Sequence, residues 1–262
     1  MPVSIAKNTA LPAKNSVARQ GYVYATFHAL AFAINYYFST YYLKQYNVKL
    51  PFDAQYGGSW RFLTMINLDA QTYYHLFALL VQVYIISTIW ENSMVKLKPN
   101  QKKKKVPYTE ELLWIVDRWY IAVVTLSSIV GVLFWSIFLI DRELIFPAEF
   151  ADIFPATLNM WYHGGVAIVA WAELGLVPHR ASTKWDTIVI STVAVLYIGF
   201  TYHAYTVIGS WQYPFLNDLS LTASLGFYFV ALLLAYVFGY GSRRIVEHTF
   251  HRKLTRASAK AQ

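Results

Sequence analysis

Two short stretches hold most of the side chains in this sequence that can do chemistry. YGGSWRFLT, Tyr56 to Thr64, combines the Gly57–Gly58 pair with Trp60, Arg61 and a threonine hydroxyl. LNMWYHGG, Leu158 to Gly165, contains Asn159 and His163. A threonine hydroxyl becomes a useful nucleophile when a neighbouring base takes its proton, and histidine, with a pKa near neutrality, is the usual base. A threonine at the start of a helix is equally an ordinary N-cap, and the distance between the stretches along the chain establishes no contact. Thr64 with His163 is therefore one candidate for covalent catalysis.

The remaining ionisable residues in apolar surroundings are His28, Asp69, His75, Glu173, His203 and the Asp141–Arg142–Glu143 cluster. Such residues are costly in a bilayer and usually face a bundle interior or cavity. Glu173 falls near a helix end and reads as a snorkelling side chain. His28 reads as a hydrogen-bonded helix histidine. The acidic–basic cluster reads as an ion-paired cap in which Asp141 or Glu143 neutralises Arg142, with substrate binding by Arg142 as the sharper alternative. Four apolar segments carry a histidine each, His28, His75, His163 and His203, at unmatched depths, which weakens a two-haem reading and leaves one haem between two of them as an alternative. Cysteine is absent, so disulfides, thiol nucleophiles and cysteine-ligated metals are excluded. No phosphate loop, HExxH or GxSxG pattern occurs. No metal centre and no cofactor is expected.

These residues have to be positioned by membrane helices. The 262 residues are 56% hydrophobic and only 14% charged, whereas soluble domains are about a quarter charged. Uncharged runs of roughly 18 or more residues mark spanning helices, and six fit: 22–43, 72–90, 119–140, 157–177, 186–208 and 219–241. The expected fold is all-α, a polytopic membrane protein with six transmembrane helices in a single domain, 1–262. Residues 1–20 and 242–262 are read as polar basic tails and 91–111 as a lysine-rich loop. The first apolar run is too long for a signal-peptide core and is read as a retained helix.

With six spans both termini share a side with the loops at 91–118 and 178–185. That side carries eighteen of the 22 Lys and Arg, leaving Lys44, Lys49, Arg61 and Arg142 for the other. Cytoplasmic segments carry the excess, so both termini are expected in the cytoplasm, and the net charge of +8 reflects topology rather than nucleic-acid binding. Segments 44–71, 141–156 and 209–218 then face outward, with Thr64 and His163 at similar depth beneath them.

The stretches YGGSWRFLT, FWSIFLIDRELIFP (Phe134 to Pro147), LNMWYHGG and SWQYPFL (Ser210 to Leu216) occur in the order found in a known family. The chain resembles the androgen-induced and androgen-dependent TFPI-regulating protein family from about Tyr56 to the end of the sixth helix. Its members are six-pass membrane proteins that look like threonine hydrolases cleaving fatty acid esters of hydroxy fatty acids. The resemblance implies that Thr64 is the nucleophile and His163 its catalytic partner. Met160, Trp161, Tyr162, Gly164 and Gly165 depart from the family's usual segment around that histidine.

On this reading Asn159 orients the imidazole, or a carboxylate of the Asp141–Glu143 cluster does. Backbone amides near Gly57, Gly58 or the start of the second helix support the oxyanion, and Arg142, Arg61, Trp60 and Trp211 meet the substrate. That substrate has two acyl chains and a carboxylate, reached from membrane lipid. Localisation is the plasma membrane or endoplasmic reticulum, with the site toward the extracellular or lumenal side. The competing readings are a non-enzymatic lipid-binding or signalling scaffold and, behind it, the haem-binding electron carrier.

Overall fold

The structure, a computed structural model, describes residues 14–45, 52–94, 108–151 and 153–259. The described residues are almost entirely helical and contain no strand. Six long helices follow in order: α1 over 14–45, α2 over Leu63–Met94, α3 over Thr109–Ile140, α4 over 156–176, α5 over Thr183–Ile208 and α6 over Leu221–Ala259. Four of them, α2, α3, α5 and α6, are long and apolar enough to cross a membrane, which makes this an integral membrane protein.

The helices run longer than the apolar runs indicated. α2 starts at Leu63 rather than near 72, because Asn67 and Gln71, polar residues that looked external, are buried against neighbouring helices. α3 likewise reaches back to Thr109, since Asp117 and Arg118 are buried in pairs with Arg180 and Asp186. Residues 14–20 belong to α1, and α6 continues to Ala259. Residues 1–13 and the lysine run 102–105 lie outside the described residues.

α3 is the hub. It opens with Glu110 and Glu111, acidic side chains that suit the positive end of a helix, and packs against α2, α4, α5 and α6. α1 lies along α2, and α5 against α6. The core around α3 contains Tyr74, Tyr120, Ile121, Val123, Val124 and Ala170.

Both α1 and α4 are interrupted by a π turn, at Tyr37–Tyr41 and Trp161–Gly165. The two turns meet: Trp161 stacks on Phe38 with ring centroids 5.0 Å apart, and Tyr162 Oη donates to the Phe38 carbonyl at 2.9 Å. Such turns displace carbonyls from regular pairing, and buried carbonyls need partners. Trp135 Nε1 supplies one to the His163 carbonyl at 3.1 Å, and Gln71 Nε2 supplies another to the Val166 carbonyl at 2.9 Å. Gly165 permits the α4 turn, because a Cβ there would stand 2.3 Å from the Trp161 ring.

Candidate active site

The chain approaches Thr64 through a tight turn. Gly57 and Gly58 have φ of 76° and 49°, a left-handed region that glycine adopts without the Cβ penalty. They lead into the 3₁₀ turn Gly58–Arg61. Arg61 at its end is only 3% exposed. Its Nη2 donates to Gln55 Oε1 at 2.6 Å and its Nε to the Gly58 carbonyl at 3.3 Å. No carboxylate pairs with it among the described residues. Burial lowers the guanidinium pKa, so an anion placed beside it would be favoured.

Thr64 occupies the first turn of α2. The Leu63 amide donates to Tyr213 Oη at 3.3 Å, and the Met65 and Ile66 amides both reach the Phe62 carbonyl. The Thr64 amide has no acceptor among the described residues. Unpaired first-turn amides are the general donor resource of a helix N-terminus.

Thr64 and His163 line the same cavity, of about 380 Å³, within the size range of small-molecule sites. Its apolar wall comes from α3, α5 and α6, with Leu133, Ile137, Val193 and Leu232 among the contributors. One region is polar and holds Arg61, Thr64, Gln212 and Tyr213. Tyr197 Oη donates to the Arg61 carbonyl at 3.2 Å and lies 3.3 Å from Tyr213 Oη, while Gln212 Nε2 donates to Tyr228 Oη at 3.0 Å.

His163 sits inside the π turn of α4. Its Nδ1 lies 3.0 Å from the Asn159 carbonyl, and its ring stacks on Phe134 with centroids 3.5 Å apart and planes 11° from parallel. A carbonyl accepts only, so Nδ1 carries the proton and Nε2 is left with the lone pair.

The other expected site residues divide. Trp211 lines the cavity and stacks on Tyr205 at 4.3 Å. Asn159 is buried, but it holds His163 through its backbone carbonyl rather than its side chain. Gly57 and Gly58 shape the turn without forming the wall, and Trp60, 59% exposed, also lies outside it.

Arg142 is not among the lining residues either; its Nε donates to the Phe146 carbonyl at 3.2 Å. The ion-paired cap expected there is replaced by backbone capping: Asp141 Oδ1 accepts from the Glu143 amide, and Glu143 accepts from the Ala148 amide. Tyr197, Gln212, Tyr213 and Tyr228 also line the cavity; the sequence singles out none of them, although SWQYPFL contains two.

The sequence profile described as FAR-17a/AIG1-like protein matches residues 24–245. The chain belongs to the FAR-17a/AIG1-like family. It is 28% identical over 184 residues to the human androgen-induced gene 1 protein, covering 69% of this chain and 73% of that one. The human androgen-dependent TFPI-regulating protein is 28% identical over 183 residues, 70% of this chain and 71% of its own. The rat protein of the same name is 27% identical over 187 residues, 70% and 75% of the two chains. No solved structure matches.

This FAR-17a/AIG1-like chain also buries a second polar cluster. His28 from α1, His75 from α2 and Glu173 from α4 are all fully buried, and one ligand atom from each lies within 4.8 Å of the others. The snorkelling expected of Glu173 is therefore wrong. Tyr74 donates to Glu173 Oε1, and His179 Nε2 lies 3.1 Å from the same oxygen. His179 Nδ1 in turn lies 3.2 Å from Asp117 Oδ1, and Tyr120 stacks on the His179 ring at 3.8 Å. Burial opposes a charge on His179, but the two carboxylates outweigh it and raise the pKa.

The haem alternative meets this geometry directly. The Nδ1 atoms of His28 and His75 are 3.1 Å apart, too close to stand on opposite faces of a porphyrin. His163 is stacked in the cavity wall, and His203 is exposed against Tyr56.

Proposed function

We propose that this protein is an intramembrane hydrolase of lipid esters, acting on fatty acid esters of hydroxy fatty acids through Thr64 and His163. One observation carries the reading: Thr64, His163 and the carboxylate-free Arg61 line a single cavity with an apolar body. The reaction class comes from the motif resemblance alone. In this reading all six helices span the membrane, both termini are cytoplasmic and the site opens toward the extracellular or lumenal side, in keeping with the distribution of Lys and Arg.

The chemistry follows from the positions. His163 Nε2 takes the Thr64 hydroxyl proton as Oγ1 attacks the ester carbonyl. The tetrahedral oxyanion is met by the free Thr64 amide at the positive end of α2; a donor of this kind typically contributes about 2.7–4 kcal/mol. Collapse breaks the ester C–O bond, the imidazolium returns its proton to the departing alkoxide, and the hydroxy fatty acid leaves. Water, deprotonated by His163, then cleaves the acyl-threonine and restores the hydroxyl. Arg61 pairs with the substrate carboxylate while the acyl chains lie along α3, α5 and α6.

The test is turnover of a defined fatty acid ester of a hydroxy fatty acid by purified protein, with Thr64→Ala and His163→Ala compared at equal folding. Loss in both supports the dyad. Full turnover in Thr64→Ala overturns the nucleophile, and a parent that retains the lipid without cleaving it is a binding protein.

A further inference from the structure

We infer that His28, His75 and Glu173 form a binding site for one divalent transition-metal ion, a borderline cation such as Zn²⁺, which fastens α1, α2 and α4 together. The inference is independent of the hydrolase reading and concerns a cluster that does not contribute to the cavity wall.

The spacing is that of a ligand shell. The two imidazole Nδ1 atoms are 3.1 Å apart, His75 Nδ1 is 3.8 Å from Glu173 Oε2, and His28 Nε2 is 3.9 Å from Glu173 Oε1. Ligands about 2.0–2.1 Å from a tetrahedral Zn²⁺ are separated from one another by roughly 3.3 Å. With one ligand atom taken from each residue, the three atoms lie within 4.8 Å of one another, so side-chain rotation draws them together around the ion.

Hydrogen bonding leaves the cluster incomplete. His28 Nε2, His75 Nε2 and Glu173 Oε2 are buried without hydrogen-bond partners. A contact between two Nδ1 atoms satisfies one donor and one acceptor, so one imidazole lone pair, one imidazole N–H and one carboxylate oxygen remain unfilled in the same buried space. Unsatisfied buried groups of this kind call for a partner, and a cation held between them supplies one. On Glu173, Oε1 is held by Tyr74 and His179, and Oε2 is left facing His75 without a hydrogen bond.

Two imidazoles and a carboxylate are a donor set suited to borderline divalent metals. The outer layer is in place as well. Metal-binding carboxylates are usually held by further hydrogen bonds, and Tyr74 and His179 hold Glu173, with Asp117 and the stacked Tyr120 ring fixing His179.

The experiment uses the full chain purified in detergent, stripped with a chelator, loaded with Zn²⁺ or Co²⁺ and desalted. The parent and Thr64→Ala should retain about one metal per chain, show the visible ligand-field bands of low-coordinate Co²⁺ and gain thermal stability on loading. Glu173→Gln and His75→Phe should each reduce retained metal at least tenfold and abolish the thermal gain. A parent that retains no metal and shows no Co²⁺ bands overturns the site without reference to any variant. Equal retention in folded Glu173→Gln overturns it too, by assigning the ion to another place.

Discussion

The imidazole of His163 lies face to face with the ring of Phe134, centroids 3.5 Å apart and planes 11° from parallel. Together with the Nδ1 contact to the Asn159 carbonyl at 3.0 Å, this fixes both the ring's plane and its tautomer. In the proposed hydrolase, a base held this way reacts without first having to orient itself. On that proposal Phe134, on α3, is the positioning residue for His163 on α4.

Phe134→Leu should therefore lower kcat with little change in KM. Aromatic pairs contribute about 0.5–1.5 kcal/mol beyond their buried area, so the expected loss is several-fold, and thermal unfolding should shift only modestly. Steady-state kinetics with Thr64-directed acylation by a reactive probe separates the two effects. An unchanged acylation rate would mean that the stacking does not position the base.

Asn159→Ala makes the complementary case. The orienting contact comes from its backbone, which alanine keeps, and its Oδ1 is buried without a partner. Removing an unpaired polar group is close to neutral or stabilising. The variant should keep most of its turnover, whereas a side-chain orienter would cost orders of magnitude. Turnover at matched folding decides.

Much of the architecture was legible in the sequence because lipid-facing helices need long uncharged runs, and all six runs are helical. The ends were not, because Asn67, Gln71, Asp117 and Arg118 are polar residues that the bundle buries in pairs. The π turn at Trp161–Gly165 left no sequence signal beyond its two glycines. The His28–His75–Glu173 cluster was invisible for a different reason: its members come from three helices, so no motif spacing exists to find, and each alone reads as an ordinary helix residue.

Arg61, rather than Arg142, should recognise the substrate carboxylate. Arg61 lines the cavity without a carboxylate partner, and Arg142 is held by the Phe146 carbonyl outside it. Hydrogen bonds to charged groups contribute about 1.5–3 kcal/mol, so Arg61→Gln should reduce kcat/KM for the free acid by one to two orders of magnitude. The methyl ester of the same substrate should be little affected, and Arg142→Gln should resemble the parent on both. Equal losses on acid and ester would assign Arg61 a structural role.

Gly57→Ala should disturb the site through its backbone. Its φ of 76° is unfavourable for alanine, and the added Cβ would lie 2.9 Å from both Arg61 Cγ and Phe200 Cζ. Left-handed geometry costs a non-glycine residue about 1–2 kcal/mol, so a lower melting temperature is expected. Because one of the two crowded atoms belongs to Arg61, the kinetic loss should be greater for the acid than for its methyl ester. A stability loss without that discrimination would separate the turn from substrate binding.

The six-span arrangement has a clean test, because the chain contains no cysteine and every introduced thiol reports alone. Asp218 is exposed in the segment between α5 and α6, whereas Lys184 and Glu111 are exposed at the opposite ends of α5 and α3. In intact cells with the protein at the plasma membrane, or in sealed right-side-out vesicles, a membrane-impermeant maleimide should label Asp218→Cys. It should leave Lys184→Cys and Glu111→Cys unlabelled until the membrane is permeabilised. The reverse pattern would place the cavity's polar end on the cytoplasmic side and would contradict the orientation drawn from the eighteen Lys and Arg. Labelling of all three before permeabilisation would mean that α5 does not cross the membrane, since Lys184 lies at its start and Asp218 in the segment that follows it.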